Sequence, residues 1–207
     1  YQDMTYGFLG YPVSQAADIT FCKANLVPVG ADQVPHVEFT RKIARRFNEL
    51  YKPVLVEPEA LVGEVGRLVG TDGNAKMSKS LDNCIYLSDT EKEVSNKINM
   101  AVTDPARMRR NDHGHPDVCT VFTYHKAFNP DFVPELRIEC ETAGIGCVDC
   151  KKRLSAVMNS ILSPMRDRRV KYENDPKLID EILIEGTKRA RHEAQITMSE
   201  VREAMRL

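Results

Sequence analysis

A short apolar run, Leu26-Val27-Pro28-Val29, stops at Gly30, and a helical stripe of Phe39, Ile43, Phe47 and Leu50 follows it. A second apolar run, Val54-Leu55-Val56, comes next between prolines. Strand, glycine turn, helix and strand in that order describe a parallel α/β unit, because parallel strands need a long crossover that a helix supplies. An Ala-rich apolar stretch over 12–25 predicts a helix ahead of the first strand, and Gly63, Gly66, Gly70 and Gly73 follow the second. Beyond residue 87 the pattern becomes helical. Ser88 with Glu91 three residues on is a capping-box signature, and Val94, Ile98 and Ala101 fall on one face. Leu154, Val157 and Ile161 mark another amphipathic segment. Asp175-Pro176 suits an N-cap and first helical position. A helix is expected from there nearly to the end, with Ile179, Ile182, Ala190, Ala194, Met198 and Val201 inward. The expected organisation is an α/β part, residues 1–87, and an all-helical part, residues 88–207, whose last helix packs back on the first.

Composition narrows the class. The 207 residues, 42% hydrophobic and 29% charged, suit one large domain or two small ones. No stretch approaches the ~20 apolar residues of a membrane span. With a net charge of -1, any nucleic-acid contact has to come from local basic patches such as Lys151-Lys152-Arg153. Six cysteines, with no basic-then-apolar start although the chain opens at Tyr1, argue for thiols or metal ligands in a cytoplasmic protein rather than a disulfide scaffold. Cys22 and Cys84 stand alone and are expected to be small buried apolar residues.

Three segments carry chemistry. In Gly73-Asn74-Ala75-Lys76-Met77-Ser78-Lys79-Ser80, two lysines three apart sit among small residues. Compact ammonium groups on a mobile loop can follow the charge of a departing pyrophosphate, although the spacing alone fits a solvated loop equally. Val29-Gly30-Ala31-Asp32-Gln33 ends a strand in glycine and opens a helix, which permits close backbone approach to a nucleotide; Asp32 alone reads as an N-cap. Asp18, after Ala16-Ala17 in an apolar helix, requires a partner if buried, or else lies on the helix surface.

The string Lys76-Met77-Ser78-Lys79-Ser80 resembles the KMSKS signature of class I aminoacyl-tRNA synthetases. Val27-Pro28-Val29-Gly30-Ala31-Asp32-Gln33, with the helix ending Arg46-Phe47-Asn48, is similar to the tryptophanyl-tRNA synthetase family, as are Ala101-Val102-Thr103-Asp104 and Asp180 through Arg191. The resemblance covers nearly the whole chain. It implies the later half of a Rossmann-like nucleotide-binding domain followed by a helical anticodon-binding domain. It further implies two-step tryptophan–tRNA ligation with Mg2+-ATP, L-tryptophan and tRNA(Trp), in a homodimer. Lys76 and Lys79 would hold the leaving phosphates. Gly30, Ala31, Asp32, Ser78 and Ser80 would bind ATP, with Leu68 and Met77 near adenine. Asp18 would accept the indole N–H, and Tyr11 and Gln33 would face the polar end of the amino acid. Gln15, at the same site, stands where many bacterial members have methionine. The family's HIGH-type histidine motif is absent, so the chain is expected to lack the first third of the enzyme and to form no adenylate alone. A tyrosyl-type ligase and a non-catalytic synthetase-like RNA-binding module are the alternatives.

Cys119-x20-Cys140-x6-Cys147-x2-Cys150 offers four thiols, the number that closes a tetrahedral Zn2+ site or a [4Fe–4S] cluster, unless they are reduced bystanders. Gly144 and Gly146 suit a sharp bend between ligands. A subset of bacterial tryptophanyl enzymes has a similar cysteine set that binds [4Fe–4S], which implies iron–sulfur here with zinc as the alternative. Such a centre could brace a tRNA-binding surface.

Overall fold

The computed structural model describes residues 4–63, 65–66, 68–73 and 76–207; Asn74 and Ala75 of the lysine segment lie outside the described residues. The elements run α1 (Tyr6–Thr20), β1 (Leu26–Val29), α2 (Val34–Leu50), β2 (Glu59–Val62), α3 (Glu91–Met100), α4 (Thr120–Phe128), α5 (Val133–Glu141), α6 (Cys147–Glu173) and α7 (Pro176–Met205). Two compact units divide the chain, Tyr1–Gly66 with Pro176–Leu207, and Arg67–Asp175. The lysine segment therefore shares its unit with the four cysteines.

The first unit is built on a β1–α2–β2 crossover, with the strands parallel and in register from Leu26 opposite Glu59 to Val29 opposite Val62. The second strand is not the expected Val54-Leu55-Val56. Asn48 takes that segment's backbone instead: its Oδ1 accepts from the amides of Val54 and Leu55 at 2.9 and 3.0 Å, and its Nδ2 donates to the Leu55 carbonyl at 2.7 Å. A backbone satisfied by a side chain has no need of a ladder. The preceding helix starts earlier than residue 12, because the Thr5 hydroxyl caps the Phe8 amide at 3.3 Å, and Pro12 is carried inside it.

The buried face of α2 also differs from the expected stripe. Val37, Thr40 and Ala44 are buried, whereas Phe39 and Leu50 are exposed. α1 packs against α2 through Ala16 and Ile19, and small side chains at this crossing let the two backbones approach. In α7 only Thr197 and Ala204 are buried, while the expected inward Ile179, Ile182 and Met198 are exposed. Its C-terminal third is pinned to the rest of its own unit by Thr197 Oγ1 donating to the Phe21 carbonyl at 2.7 Å, by Lys52–Glu203 at 2.9 Å and by Lys23–Glu200.

The second unit is a helical cluster in which α6 packs on α3 and α4. Val94, Ile98, Val121, Phe122, Tyr124, Leu136 and Leu154 form its core, and each large apolar side chain so buried contributes roughly 1.5–3 kcal/mol. Val94, Ile98 and Ala101 fall inward as the sequence predicts. On α6 the inward residues are Leu154, Met158 and Leu162, with Ile161 exposed. The capping box lies two residues beyond its expected place: Thr90 Oγ1 accepts from the Glu93 amide at 3.3 Å and the Glu93 carboxylate accepts from the Thr90 amide at 2.7 Å. Asp89 is otherwise engaged, taking the Tyr86 amide and Lys97. Arg166 donates to the Asp89 carbonyl and to Asn159, which reaches the Glu91 carbonyl, so polar bonds brace α6 against the start of α3. Among the described residues no helix is long and apolar enough to cross a membrane.

Candidate functional site

The lysine segment is held by backbone pairing and by one buried side chain. Val69 pairs with Lys76 in an antiparallel bridge, and the Met77 amide donates to the Leu68 carbonyl at 3.4 Å. Asn83, nearly fully buried, receives the Ser78 amide on Oδ1 at 2.8 Å and donates through Nδ2 to Asp72 and to the Lys76 carbonyl. Gly70 leaves room for this: a Cβ there would lie 2.1 Å from Asn83 Nδ2. A short turn at Lys79–Leu81 ends with Asp82 in the left-handed region, φ 50°. The Ser78 and Ser80 hydroxyls are 2.8 Å apart. Leu68 and Met77 pack against the helical core of their own unit, leaving each part-exposed. Lys76 and Lys79 are exposed and form no ion pair among the described residues.

The other nucleotide and amino-acid candidates belong to the first unit. Gly30 ends β1 and accepts the Gln33 amide at 2.9 Å, forming a tight turn over Ala31–Gln33 that opens α2. Gly30, Ala31 and Asp32 are exposed, and a Cβ on Gly30 would stand 2.9 Å from Asp32 Oδ1. Tyr11 on α1 meets His36 on α2 edge-to-face, ring centroids 5.6 Å apart. Asp18 is exposed. Gln15 Oε1 is buried without a hydrogen-bond donor among the described residues, the kind of vacancy a ligand donor can fill.

The four cysteines come together. Cys119, Cys140, Cys147 and Cys150 line one cavity, with Leu136, Ile145, Asp104 and Arg107 also in its wall. Cys119 precedes α4, Cys140 is in α5, Cys147 opens α6, and Cys150 stands one turn later. Burial pushes the Cys150 thiol up to about 12, with the neighbouring Cys119, Cys140 and Cys147 raising it further. Burial also raises Cys119, opposed by the amides of Phe122, Val121 and Asp104, and raises Cys140, opposed by Arg107. As the side chains stand, no group of three or more His, Cys, Asp or Glu among the described residues is set to hold a metal ion.

The bend between Cys140 and Cys147 is turned by Ala143, φ 57°, rather than by the expected glycines. Gly144 and Gly146 serve close approach instead: a Cβ on Gly146 would meet Arg110 at 2.9 Å. Gly114 is comparable, its amide donating to the Cys140 carbonyl at 2.9 Å and its missing Cβ leaving space for the Cys140 sulfur. Sequence reading missed Arg107 and Gly114, because no local pattern links either to a cysteine far along the chain. His115 pairs with buried Asp104 at 2.8 Å. Cys84 is buried as expected, but Cys22 is exposed at the end of α1. The basic run is partly consumed locally: Lys151 donates to the Asn99 carbonyl, Lys152 faces Asp149, and Arg153 pairs with Glu139 and covers the Phe132 ring.

A parallel β–α–β unit and a helical cluster define an α/β protein extended by helices. The chain belongs to the class I tRNA synthetases of the W and Y group, whose family model matches residues 1–163. It is 51% identical over 210 residues to a tryptophan–tRNA ligase of Thermotoga maritima and 46% identical over 209 residues to one of Aquifex aeolicus. It spans 64% and 53% of the lengths of those relatives, and both alignments cover all of this chain. A crystal structure of the tryptophanyl-tRNA synthetase from Campylobacter jejuni, complexed with ADP and tryptophan, superposes with a TM-score of 0.76 at 35% identity, covering 99% of this chain and 64% of that one.

Proposed function

We propose that the chain is the later part of a tryptophan–tRNA ligase, acting in the cytoplasm as a homodimer. Identity of 51% to a tryptophan–tRNA ligase across the whole chain carries this reading. In it, the carboxylate of L-tryptophan attacks the α-phosphate of Mg2+-ATP, pyrophosphate leaves, and the tryptophanyl group then passes to tRNA(Trp). Lys76 and Lys79, exposed and without an ion pair among the described residues, suit leaving phosphates, since such an ammonium is free to follow developing charge. Gly30, Ala31 and Asp32 at the β1–α2 turn, with Ser78 and Ser80, would bind ATP, and Leu68 and Met77 would border adenine. Tyr11, Gln15, Asp18 and Gln33 would line the tryptophan pocket; the enclosed Gln15 oxygen supports a polar contact there. Residues 1–87 would serve catalysis, and residues 88–207 tRNA recognition.

The cysteine cavity is assigned to a [4Fe–4S] cluster. Four thiols from three separate places in the chain share one largely apolar wall, a donor set that fits an iron–sulfur centre. The cluster would supply a cross-link between α4, α5 and α6 beneath the tRNA surface; the reaction contains no redox step for it.

ATP–pyrophosphate exchange tests the activity, with the chain alone and extended to the length of its relatives. Tryptophan-dependent exchange from the extended chain supports the reading. Preference for tyrosine assigns a tyrosyl-type ligase, and RNA binding without exchange assigns a non-catalytic module.

A further inference from the structure

The cavity wall contains one guanidinium. Arg107 is about nine-tenths buried, and its NH1 donates to the Cys140 sulfur at 3.8 Å. Its NH2 donates to the carbonyls of Ile145 at 2.7 Å and Arg110 at 3.1 Å. A buried cation of this kind costs several kcal/mol in desolvation unless negative charge or good acceptors answer it. Two carbonyls and a neutral thiol answer it only in part. The one carboxylate of the wall, Asp104, is turned elsewhere: its oxygens accept from the Ala106 amide and from the amide and ring of His115.

The backbone adds positive potential at the same cavity. Cys119 stands at the N-cap of the nine-residue α4, and the 27-residue α6 begins at Cys147. Helix N-termini favour negative charge. A guanidinium and two such termini around neutral thiols are electrostatically unbalanced, but around four thiolates they are matched. Four thiolates also outweigh the positive charge of either an iron–sulfur core or a single zinc, so the loaded centre is an anion.

We infer that Arg107 is a positioning residue for the four-cysteine centre, balancing its excess negative charge through Cys140 while fastening the Ala143–Ile145 loop beside it. The inference rests on the metal centre proposed above. Losing the charge weakens metal retention and makes added electrons less welcome; losing only the bidentate grip does not. Partners at this distance typically change metal affinity by 10–100-fold.

The test uses the whole chain purified without oxygen, as wild type, Arg107→Lys and Arg107→Gln. Iron, sulfide and zinc are assayed, metal release to a chelator is timed, and the midpoint potential of any cluster is measured. For Arg107→Gln the expectation is release at least about 10-fold faster and a more negative midpoint potential, with Arg107→Lys closer to wild type on both. If Arg107→Gln does not keep its helical circular dichroism, Arg107→Met is measured instead, since its apolar stem keeps the packing. A centre holding zinc is judged by release alone, with the same sign. Equal potentials and release in wild type and the uncharged variant overturn the inference while leaving the metal centre standing. So does identical behaviour of the lysine and glutamine variants. Wild-type protein without iron, sulfide or zinc overturns both.

Discussion

The Ser78 amide donates to Asn83 Oδ1 at 2.8 Å, so a buried side-chain amide anchors the lysine segment beside its backbone pairing with Leu68 and Val69. Asn83→Ala removes that acceptor and leaves the Ser78 amide and the Lys76 carbonyl without their partner, a loss of about 1–3 kcal/mol for groups kept from water. The expected outcome is a lower melting temperature and faster tryptic cleavage after Lys76 and Lys79. Cleavage at the wild-type rate would show that the segment is held by something else.

Lys79 is exposed and sits at the start of the turn that Asn83 supports. In the chain extended to its relatives' length, Lys79→Ala should lower kcat of adenylation by about 10²–10³-fold with little change in tryptophan KM, because the stabilised charge develops only as pyrophosphate leaves. Pre-steady-state exchange measures the split. An unchanged kcat removes the role assigned to Lys79.

Gly114 and Cys140 are in contact across the cavity wall. A Cβ at 114 would stand 2.4 Å from the Cys140 sulfur and 3.1 Å from its carbonyl oxygen, closer than side chains approach. Gly114→Ala should therefore lower the iron and sulfide content and the melting temperature. Gly63→Ala, where an added Cβ meets nothing within 4 Å, is the control and should change neither.

The capping box of α3 predicts an acid response. The Glu93 carboxyl is held below its ordinary range, chiefly by the Thr90 amide and then by the Thr90 hydroxyl. A depressed folded-state value means the contribution is complete above the unfolded glutamate value, about 4.3, and is lost as pH falls through the lower folded one. Thr90→Ala should cost about 1 kcal/mol at neutral pH. Glu93→Gln should flatten the acid limb of a urea-midpoint series between neutral pH and about pH 3, where wild type declines more steeply.

Much of the local structure was legible in the sequence. β1 falls on Leu26–Val29, α2 follows the glycine, and Val94, Ile98 and Ala101 point inward, because short-range alternation and helical spacing decide such features. The misplacements share one cause. Val54-Leu55-Val56 had strand character, but Asn48 claimed its amides; Ser88 had capping character, but Thr90 reached the helix first. Competing hydrogen-bond partners a few residues away cannot be ranked from composition. The α2 face shifted for a similar reason, since the packing of α1 against it selected Val37, Thr40 and Ala44 over larger neighbours.

The sequence by itself determined the chemistry available: two lysines in a KMSKS string, a glycine-ended strand, and four cysteines between positions 119 and 150. Residue types and near spacings are covalent facts and survive without knowledge of the fold. Only the tertiary structure decided what those groups face. It brought four thiols from two helices and a loop end to one cavity, and set the Arg107 guanidinium and the bare Gly114 backbone against Cys140. Distances between residues far apart in the chain depend on how helices close over a core, and that closure is set by collective packing rather than by any short run of sequence.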